Sequence, residues 1–432
     1  MPAKYLPLSK VRFLYPGNYL EDSDFEKIYQ NRINNVSALR TNLHPLLTDK
    51  KKFQNNQYPI FVTITFELLK LMDDFSNNSK KIKSIVKHLP GVAQRQFLDS
   101  LLLSEITYTN EIEGVQTNAY EISTLIKEGE KIKDDNKKER PQRLRSTVRM
   151  YQENLKKIDI KINALEDFRK IYDRLLAGEI PKDKLPNGKV FRDKLPNNEI
   201  LSIGSQFNVV HQPPITEKEI NFSLYQLIEF MNSKEIPDIL KSIITHFFFE
   251  NTHPFLDGNG RMGRYLFSTY VTRKYDFFTG LSIATAIHSR VETYYRIFKE
   301  ADKLENRAEL TFFVEEMLKI IIEQQNKNFE ALDEAKSKLE EAKKKIEGKV
   351  KSFGNLTEKQ KGAALQTLIY LAESKLFTSN EHLGIRDETI KKLNSENKIS
   401  LRRTQEIIKI LEEKELIKQV SARPKQHVIT FL

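Results

Sequence analysis

The stretch HPFLDGNGRMGR, from His253 to Arg264, joins one base, one carboxylate, three glycines and two arginines. The apolar periodicity from Arg261 to Val271 predicts a helix that begins inside the glycines. Glycines there leave the first backbone N–H groups uncovered, which favours binding of an anion. Because Arg261 and Arg264 are three positions apart, they share one helix face and are expected to point at that anion. The stretch therefore predicts a site for several negative charges, as in a polyphosphate.

The same stretch supplies an acid and a base. Asp257 is a hard oxygen ligand just before the glycines, where a Mg²⁺ that bridges two phosphates would sit. His253 is the neutral base within reach, and a tight turn after Pro254 would let it face the phosphorus. That arrangement suits general-base activation of an attacking hydroxyl. Apolar residues at helical spacing between 239 and 248 predict a buried central helix that leads into His253.

The stretch resembles the motif of the Fic family, H-P-F-x-D-G-N-G-R-x-x-R, at every fixed position. The resemblance implies transfer of AMP from ATP to a Ser, Thr or Tyr hydroxyl of a target protein, with pyrophosphate leaving. It also implies that His253 deprotonates the hydroxyl, that Asp257 holds Mg²⁺, and that Phe255 fixes the loop from the core. The residues implied in binding ATP and its phosphates are Gly258, Asn259, Gly260, Arg261, Gly263 and Arg264.

A second motif lies upstream. The sequence TNEIEG, from Thr109 to Gly114, resembles the inhibitory pattern [S/T]-x-x-x-E-[G/N] of many Fic proteins. A helix over about 92–114 would present Glu113 from its last turn, where the carboxylate could pair bidentately with an arginine. By analogy with the family that arginine is Arg264. The pair would block a phosphate seat, so the enzyme is expected to be autoinhibited.

The same glutamate permits the opposite reaction. Some Fic proteins use the equivalent carboxylate to orient water and remove AMP from a modified target. Removal of AMP by way of Glu113 is therefore one alternative function. A DNA-binding transcriptional regulator with a nucleotide-sensing Fic core is another. Some Fic relatives also transfer other phosphate-linked groups, so the sequence leaves both the direction and the nucleotide open.

Two short β-prone runs, 200–204 and 208–211, predict a hairpin. The segment looks like the flap that covers the target peptide in the Fic family. An exposed strand edge could align an incoming target strand by main-chain pairing. Ile203 and Gly204 are the predicted docking residues.

The tail from about 356 to 432 predicts helix, broken helix, helix and hairpin, with Ser400 as the N-cap of the last helix. This order is typical of a winged helix-turn-helix domain and resembles the C-terminal domains of many bacterial Fic proteins. A recognition helix would carry Arg402, Arg403, Thr404 and Gln405 at its front, with Arg423 on the wing. The tail is only mildly basic, and winged helices also dock proteins, so DNA and protein partners both stay open.

Composition sets the remaining limits. The chain has 432 residues, a formal net charge of +11 and no cysteine, which excludes disulfides, thiolate zinc sites and thiol nucleophiles. No run approaches the roughly 20 apolar residues of a membrane span. The N-terminus lacks the hydrophobic region of a signal peptide, so a cytoplasmic protein without a membrane partner is expected. The diffuse positive charge predicts only weak nonspecific binding.

The predicted fold class is mainly α, a Fic-type helical core with a small β-hairpin flap and a C-terminal winged helix-turn-helix domain. The predicted domains are a helical region over 1–114, the Fic core over 115–320, a helical linker over 321–355 and the winged helix over 356–432. The predicted ligands are ATP and Mg²⁺. The partners are a target protein with a reactive hydroxyl and, through the tail, DNA; a homodimer is left open.

Overall fold

Most described residues of the protein, here a computed structural model, lie in α-helices. The structure describes residues 5–11, 20–49, 52–54, 57–128, 144–155, 161–195, 199–205, 208–378, 384–422 and 425–432. Contacts divide the chain into two compact units, Met1–Ser79 with Ser104–Gln325 and Lys80–Leu103 with Asn326–Leu432. Within the described ranges, no helix is long and apolar enough to cross a membrane.

The N-terminal part of the first unit combines helices with short strands. Its elements are α1 (Leu8–Val11), α2 (Asp22–Ile33), β1 (Ala38–Arg40), β2 (Leu47–Asp49), β3 (Lys52–Gln54) and β4 (Phe61–Thr63). β1 pairs with β4 and β2 pairs with β3, both antiparallel. The prediction of a helical region up to residue 114 is therefore wrong for β1, β2, β3 and β4. Short β-prone runs there are separated by Pro45 and Pro59, which a helix interior does not accommodate.

The rest of the first unit is almost entirely helical. Its elements are α3 (Phe66–Lys87), α4 (Gly91–Ile112), α5 (Ala119–Glu128), α6 (Arg145–Leu155), α7 (Leu165–Leu175), β5 (Ile203–Ser205), β6 (Asn208–His211), α8 (Glu217–Asn232), α9 (Asp238–Thr252), α10 (Asn259–Lys274), α11 (Phe277–Gly280), α12 (Ile283–Ser289), α13 (Val291–Ala301) and α14 (Thr311–Lys351). The long helices α3, α4 and α14 have residues in both units. α14 covers most of the predicted helical linker over 321–355, as far as Lys351.

α9 and α10 form the centre of this unit, where they pack on each other and on α8, α6, α11 and α12. Six apolar side chains of α9 at helical spacing are at most 2% exposed: Ile239, Leu240, Ile243, Ile244, Phe247 and Phe248. The predicted buried central helix is therefore confirmed. α9 ends at Thr252 and α10 begins at Asn259, so the turn between them holds the polar part of the stretch that starts at His253.

β5 and β6 form the antiparallel hairpin that the sequence predicted. Ile203 pairs with His211, and a bulge follows before Gly204. The buried His211 side chain lies against α9, because its Nε2 is 2.7 Å from the backbone oxygen of Asn251. This contact fixes the second strand of the hairpin to Asn251, two residues before His253.

The C-terminal part of the second unit contains helices and one three-stranded sheet. Its elements are α15 (Glu358–Leu376), β7 (Ile385–Arg386), α16 (Asp387–Glu396), α17 (Leu401–Glu413), β8 (Ile417–Ala422) and β9 (Lys425–Ile429). The strand order is β7-β9-β8, with antiparallel neighbours. The side chains of Thr357 and Ser400 cap α15 and α17 by accepting a backbone N–H. The predicted helices and hairpin are present, and the winged-helix identity stays a prediction.

The residues predicted to contact DNA lie near the start of α17. Arg402 and Gln405 are exposed and Arg403 is half-buried. Thr404 is fully buried and its hydroxyl donates to the backbone oxygen of Ser400, so Thr404 belongs to the inner face of the helix. Thr404 thus lies at the front of α17 as predicted, but its side chain faces inward, so the prediction that it contacts DNA is wrong. Arg423 lies outside the described residues.

The imidazole of His427 joins three elements of this unit. Its Nδ1 is 2.6 Å from Oδ1 of Asp387 and its Nε2 is 2.8 Å from Oε1 of Glu412. A charged imidazolium donates through both nitrogens, so two carboxylates favour it. Burial opposes the charge, but the two carboxylates outweigh burial and raise the pKa of His427 above its usual value. The bridge ties α16 and α17 to β9.

We expect the substitution His427→Gln to destabilise the protein more at pH 6 than at pH 9. Because the folded-state pKa is raised, the bridge contributes fully below the ordinary histidine pKa of about 6.5. Its contribution is lost as the pH rises through the folded-state value. Breaking a buried ion pair costs about 3 kcal/mol, which circular dichroism should detect as a lower unfolding temperature.

The matched control is His88→Gln, which changes an exposed ring and should leave the unfolding temperature unchanged. An equal loss of stability at both pH values would contradict the role given to the charged bridge.

Candidate active site

The turn between α9 and α10 is held by an aromatic plug and an amide clamp. Phe255 is fully buried and stacks on Tyr172 with ring centroids 3.8 Å apart. The Asn259 side chain accepts the Phe255 N–H at 2.9 Å and donates to the Phe255 backbone oxygen at 2.8 Å. Both ends of that amide therefore serve the turn itself. For the predicted contact of Asn259 with phosphate, its backbone N–H is therefore the group that remains available.

Arg192, a buried residue that precedes α9 in the sequence, holds the same turn by hydrogen bonds. The Nε of Arg192 donates to the backbone oxygen of His253 at 2.7 Å, and the backbone N–H of Arg192 donates to the backbone oxygen of Pro254 at 3.0 Å. His253 ends α9 in the left-handed region, with φ at 47°. A left-handed backbone is unfavourable for a residue other than glycine. It is held here because Arg192 binds the backbone oxygens of His253 and Pro254. Arg192 was not foreseen, since it lies 61 positions upstream in a loop without periodicity.

His253 is a neutral base at ordinary pH. Burial of the ring, helped by electrostatic interactions with the neighbouring Arg192 and His211, lowers the pKa of His253 to about 3. A hydrogen bond to the backbone of Glu250 acts in the opposite direction and is weaker than those effects. A neutral imidazole has a free lone pair, so the ring is in the protonation state that a general base requires.

The start of α10 has features that favour binding of an anion. Gly258 precedes it at φ 81°, in the left-handed region that favours glycine. A Cβ on Gly258 would also lie 2.3 Å from Cδ1 of Leu176. A Cβ on Gly260 would lie 2.1 Å from Oε1 of Glu113. A carboxylate therefore stands over the first turn of α10, where backbone N–H groups have no partner within the helix.

Arg264 is buried and held by the motif that runs from Thr109 to Gly114. Its Nη2 is 2.7 Å from Oε1 of Glu113 and 2.9 Å from the Thr109 backbone oxygen, and its Nε donates to Oγ1 of Thr109 at 2.9 Å. Glu113 thus uses one carboxylate oxygen, whereas the sequence suggested a bidentate pair. α4 ends at Ile112, and Gly114 at φ 70° turns the chain away. Although burial opposes the charge, Glu113 raises the pKa of Arg264 above its usual value.

Two further carboxyl groups lie near Arg264 and are protonated for the most part at neutral pH. Burial raises the pKa of Glu250 to about 8 and that of Glu105 to about 8. Glu250 packs over Gly263, where a Cβ would lie 2.1 Å from Oε1 of Glu250. Because Gly263 has no side chain, Glu250 can pack against it. This role differs from the predicted contact of Gly263 with phosphate. Glu113 is the acid whose carboxyl group pairs directly with Arg264.

Arg261 lies between two other carboxylates. Its Nη1 donates to Oε2 of Glu179 at 3.1 Å, and its Nη2 is 3.6 Å from Oδ1 of Asp257. The two motif arginines therefore do not share one anion in this structure, because Arg261 faces Glu179 and Arg264 faces Glu113. Glu179 was not foreseen, since it follows α7 by four residues in a turn with no recognisable motif.

Asp257 is the candidate metal ligand, and its side chain is 41% exposed beside the start of α10. Among the described residues, no cluster of three or more His, Cys, Asp or Glu side chains could hold a metal ion by itself. Proteins often hold Mg²⁺ with one or two carboxylates together with substrate phosphates and waters. The surroundings of Asp257 therefore fit a magnesium ion that arrives with a nucleotide.

Ile203 and Gly204, the predicted docking residues, lie on β5 of the hairpin. Among the described strands, β5 pairs with β6 alone, so its other edge has no strand beside it. An unpaired edge offers backbone N–H and C=O groups to an extended peptide. The docking role of this edge stays a prediction.

The fold and the site together define a mainly helical domain, with a histidine in the turn before a helix that begins at glycines. Residues 161–271 match the model of the Fic/DOC family. The chain therefore contains a Fic/DOC family domain, and the matched range includes the β5–β6 hairpin, the turn with His253 and most of α10.

Several solved structures are similar to this chain. A Fic family protein from Desulfovibrio desulfuricans G20 is 18% identical, with 86% of this chain and 98% of that chain covered and a TM-score of 0.46. A Fic domain containing signaling protein from Bacteroides thetaiotaomicron VPI-5482 is 14% identical, with coverages of 60% and 98% and a TM-score of 0.38. A fragment of Fic-1 from C. elegans that spans its residues 134–508 is 16% identical, with coverages of 62% and 74% and a TM-score of 0.38.

We expect the His253 ring to stay neutral from pH 8 down to pH 5, because its pKa is lowered to about 3. The measurement is a pH titration of histidine ring signals by NMR on protein labelled with ¹⁵N in histidine. The His253→Gln variant assigns the signal. A His253 midpoint near 6.5 would contradict the burial argument.

Proposed function

We propose that this protein is an autoinhibited protein adenylyltransferase, which transfers AMP from ATP to a Ser, Thr or Tyr hydroxyl of a target protein. The observation that supports this most is the position of the Glu113 carboxylate. Its Oε1 lies 2.7 Å from Nη2 of Arg264 and stands over Gly260 at the start of α10. A carboxylate there mimics a phosphate oxygen, so the anion site is filled by the chain itself.

The transfer follows from the groups around the turn. The neutral His253 ring accepts the proton of the target hydroxyl while that oxygen attacks the α-phosphorus of ATP. The bond from the α-phosphorus to the bridging oxygen breaks, and pyrophosphate leaves. The backbone N–H groups at the start of α10 would stabilise the charge on the α-phosphate oxygens. Arg264, once free of Glu113, would hold the outer phosphates.

Asp257 would hold Mg²⁺ in this scheme, since it is the exposed carboxylate next to the anion site. When bound with ATP, the ion neutralises charge on the phosphates. The unpaired edge of β5 would align an extended segment of the target, so that its hydroxyl reaches His253. Arg192 and Asn259 would act indirectly, because they hold the turn that carries the base.

Autoinhibition has a direct electrostatic basis. Arg264 is 1% exposed and its charge is balanced by Glu113, whose side chain is 31% exposed at the end of α4. The γ-phosphate of ATP would need the same guanidinium. Nucleotide and Glu113 therefore compete, and any event that withdraws the end of α4 would activate transfer. The hydroxyl of Tyr295, which donates to the Ile112 backbone oxygen at 3.2 Å, helps to hold that end in place.

We expect Glu113→Gly to raise AMP transfer about tenfold or more, the usual size of such a coupling between competing groups. Adding His253→Ala to that variant should lower transfer by about 100-fold or more, since it removes the base. The measurement is intact-mass spectrometry after incubation with ATP and Mg²⁺, with a gain of one AMP as the readout.

The matched control is Glu111→Gly on the same helical turn, where the side chain faces His288 at 3.2 Å instead of Arg264. It should leave activity near that of the unaltered protein. Full transfer by the Glu113→Gly variant that also carries His253→Ala would refute the base. Absence of any adduct in Glu113→Gly, with loss of AMP from a pre-modified target in the unaltered protein, would favour AMP removal with Glu113 as the residue that orients water.

A second function, binding of DNA by the C-terminal elements, is favoured by the exposed Arg402 and Gln405 at the start of α17. Backbone N–H groups at that end of the helix also favour phosphate. Under this alternative the Fic domain would sense nucleotide for a transcriptional regulator. The acidic Glu406 and Glu413 of the same helix weaken the positive potential of this surface.

We expect that joint substitution of Arg402 and Arg403 by alanine weakens binding to duplex DNA about tenfold, as loss of phosphate or base contacts does. The measurement is fluorescence anisotropy with a labelled random-sequence duplex at two salt concentrations. Lys409→Ala, an exposed lysine later in α17, is the control. Equal affinity of all three proteins, or no binding at low salt, would remove DNA as a partner of this surface.

A further inference from the structure

Arg261 is held in a different way from Arg264. Its side chain is 6% exposed, and the Glu179 carboxylate that faces it is 3% exposed. The pair is therefore shielded from water on both sides, unlike the Glu113 carboxylate at the end of α4. On the other side of the guanidinium, Nη2 of Arg261 lies 3.6 Å from Oδ1 of Asp257. The guanidinium lies between a buried acid and the candidate metal ligand.

Glu179 is fixed by the protein and is not a mobile competitor. Its Oε1 accepts a hydrogen bond from Oγ1 of Thr147 at 2.9 Å, and that hydroxyl also lies 2.7 Å from the Leu175 backbone oxygen. The backbone N–H of Glu179 donates to the Leu176 backbone oxygen at 3.0 Å. These contacts come from α6 and from the end of α7, so Glu179 has no need to move when a nucleotide enters.

The two carboxylates compete for one guanidinium. A buried guanidinium without a counter-charge is strongly unfavourable, so loss of the Glu179 charge would draw Arg261 toward the next carboxylate. That carboxylate is Asp257, at 3.6 Å. A direct Arg261–Asp257 pair would occupy the oxygens that a divalent cation needs, because a carboxylate engaged with a guanidinium is a poorer metal ligand.

We propose that Glu179 is a positioning residue that neutralises Arg261 and thereby keeps the Asp257 carboxylate available to a divalent cation. This inference rests on the proposed function, in which Asp257 holds the metal that accompanies the nucleotide. It also gives the two arginines of the motif separate tasks. Arg264 is released from Glu113 to meet phosphate, while Arg261 stays paired with Glu179 and sets the position of the metal ligand.

The test measures how much a metal ion strengthens nucleotide binding. Calorimetry gives the affinity of the Glu113→Gly protein for a non-hydrolysable ATP analogue, once with Mn²⁺ and once with EDTA. The ratio of the two affinities is the metal enhancement. Effects of a substitution on phosphate contacts alone cancel in this ratio, which makes it a readout that a merely structural role would not move.

In the Glu113→Gly background, we expect Glu179→Gln to lower the metal enhancement by about 10- to 100-fold, the usual effect of losing a partner of a metal ligand. Adding Arg261→Gln should restore most of the enhancement, because the cation that captures Asp257 is then gone. Glu179→Asp, which keeps the charge, should retain it within about threefold. Glu153→Gln, a partly exposed acid that pairs with Arg174 on the surface of this unit, is the matched control and should change nothing.

The outcomes separate the two proposals. An unchanged enhancement in Glu179→Gln, or a loss that adding Arg261→Gln does not restore, would overturn the role of Glu179 alone. If the reference Glu113→Gly protein binds the analogue but shows no enhancement by Mn²⁺, the metal role of Asp257 in the proposed function fails first. If Glu179→Gln does not fold, the comparison is made between Glu179→Asp and Glu179→Asp with Arg261→Gln. The inference predicts the same metal enhancement in both proteins. A change in the enhancement on adding Arg261→Gln would contradict it.

Discussion

The buried charge of Arg264 is the constraint on which the rest of the site depends. A guanidinium that is 1% exposed must have a counter-charge, and the protein supplies one from the end of α4. Glu105 and Glu250 lie near, but burial raises the pKa of each to about 8, so Glu113 is the acid that balances the arginine. The position of the end of α4 beside α10 therefore follows from one ion pair, and in the proposed function the seat for phosphate and the restraint on activity follow from the same pair.

The turn between α9 and α10 shows that residues of one motif divide into two kinds. Phe255 and Asn259 are turned inward and hold the turn, with the Asn259 amide engaged at both ends. In the proposed function the side chains of His253 and Asp257 face the ligand, the former as a neutral ring and the latter as a half-exposed carboxylate. A motif that looks uniform in sequence is therefore part scaffold and part site, and substitutions in it cannot be interpreted as chemistry alone.

Much of the fold could be predicted because its helices have clear signals. The apolar spacing in α9, the glycines before α10 and the Ser400 cap of α17 are local features, and the elements lie where those features put them. The strands between 38 and 63 were missed because each spans three residues, too few for a period of two to appear. Thr404 was misplaced because its neighbours in α17 are polar, and only packing against Asn394 shows that it faces inward.

The sequence by itself determined the central helices, the start of α10 among glycines, and the set of candidate site residues His253, Asp257, Arg261 and Arg264, because these depend on local spacing and residue type. The tertiary structure decided how the charges meet. Glu113 reaches Arg264 across 151 positions, a pair that was expected from the family resemblance alone, and Glu179 reaches Arg261 across 82, a pair that nothing in the sequence indicated. Burial is likewise a property of the folded chain, so the pKa of His253 and the different partners of the two arginines appear only when the surrounding helices are in place.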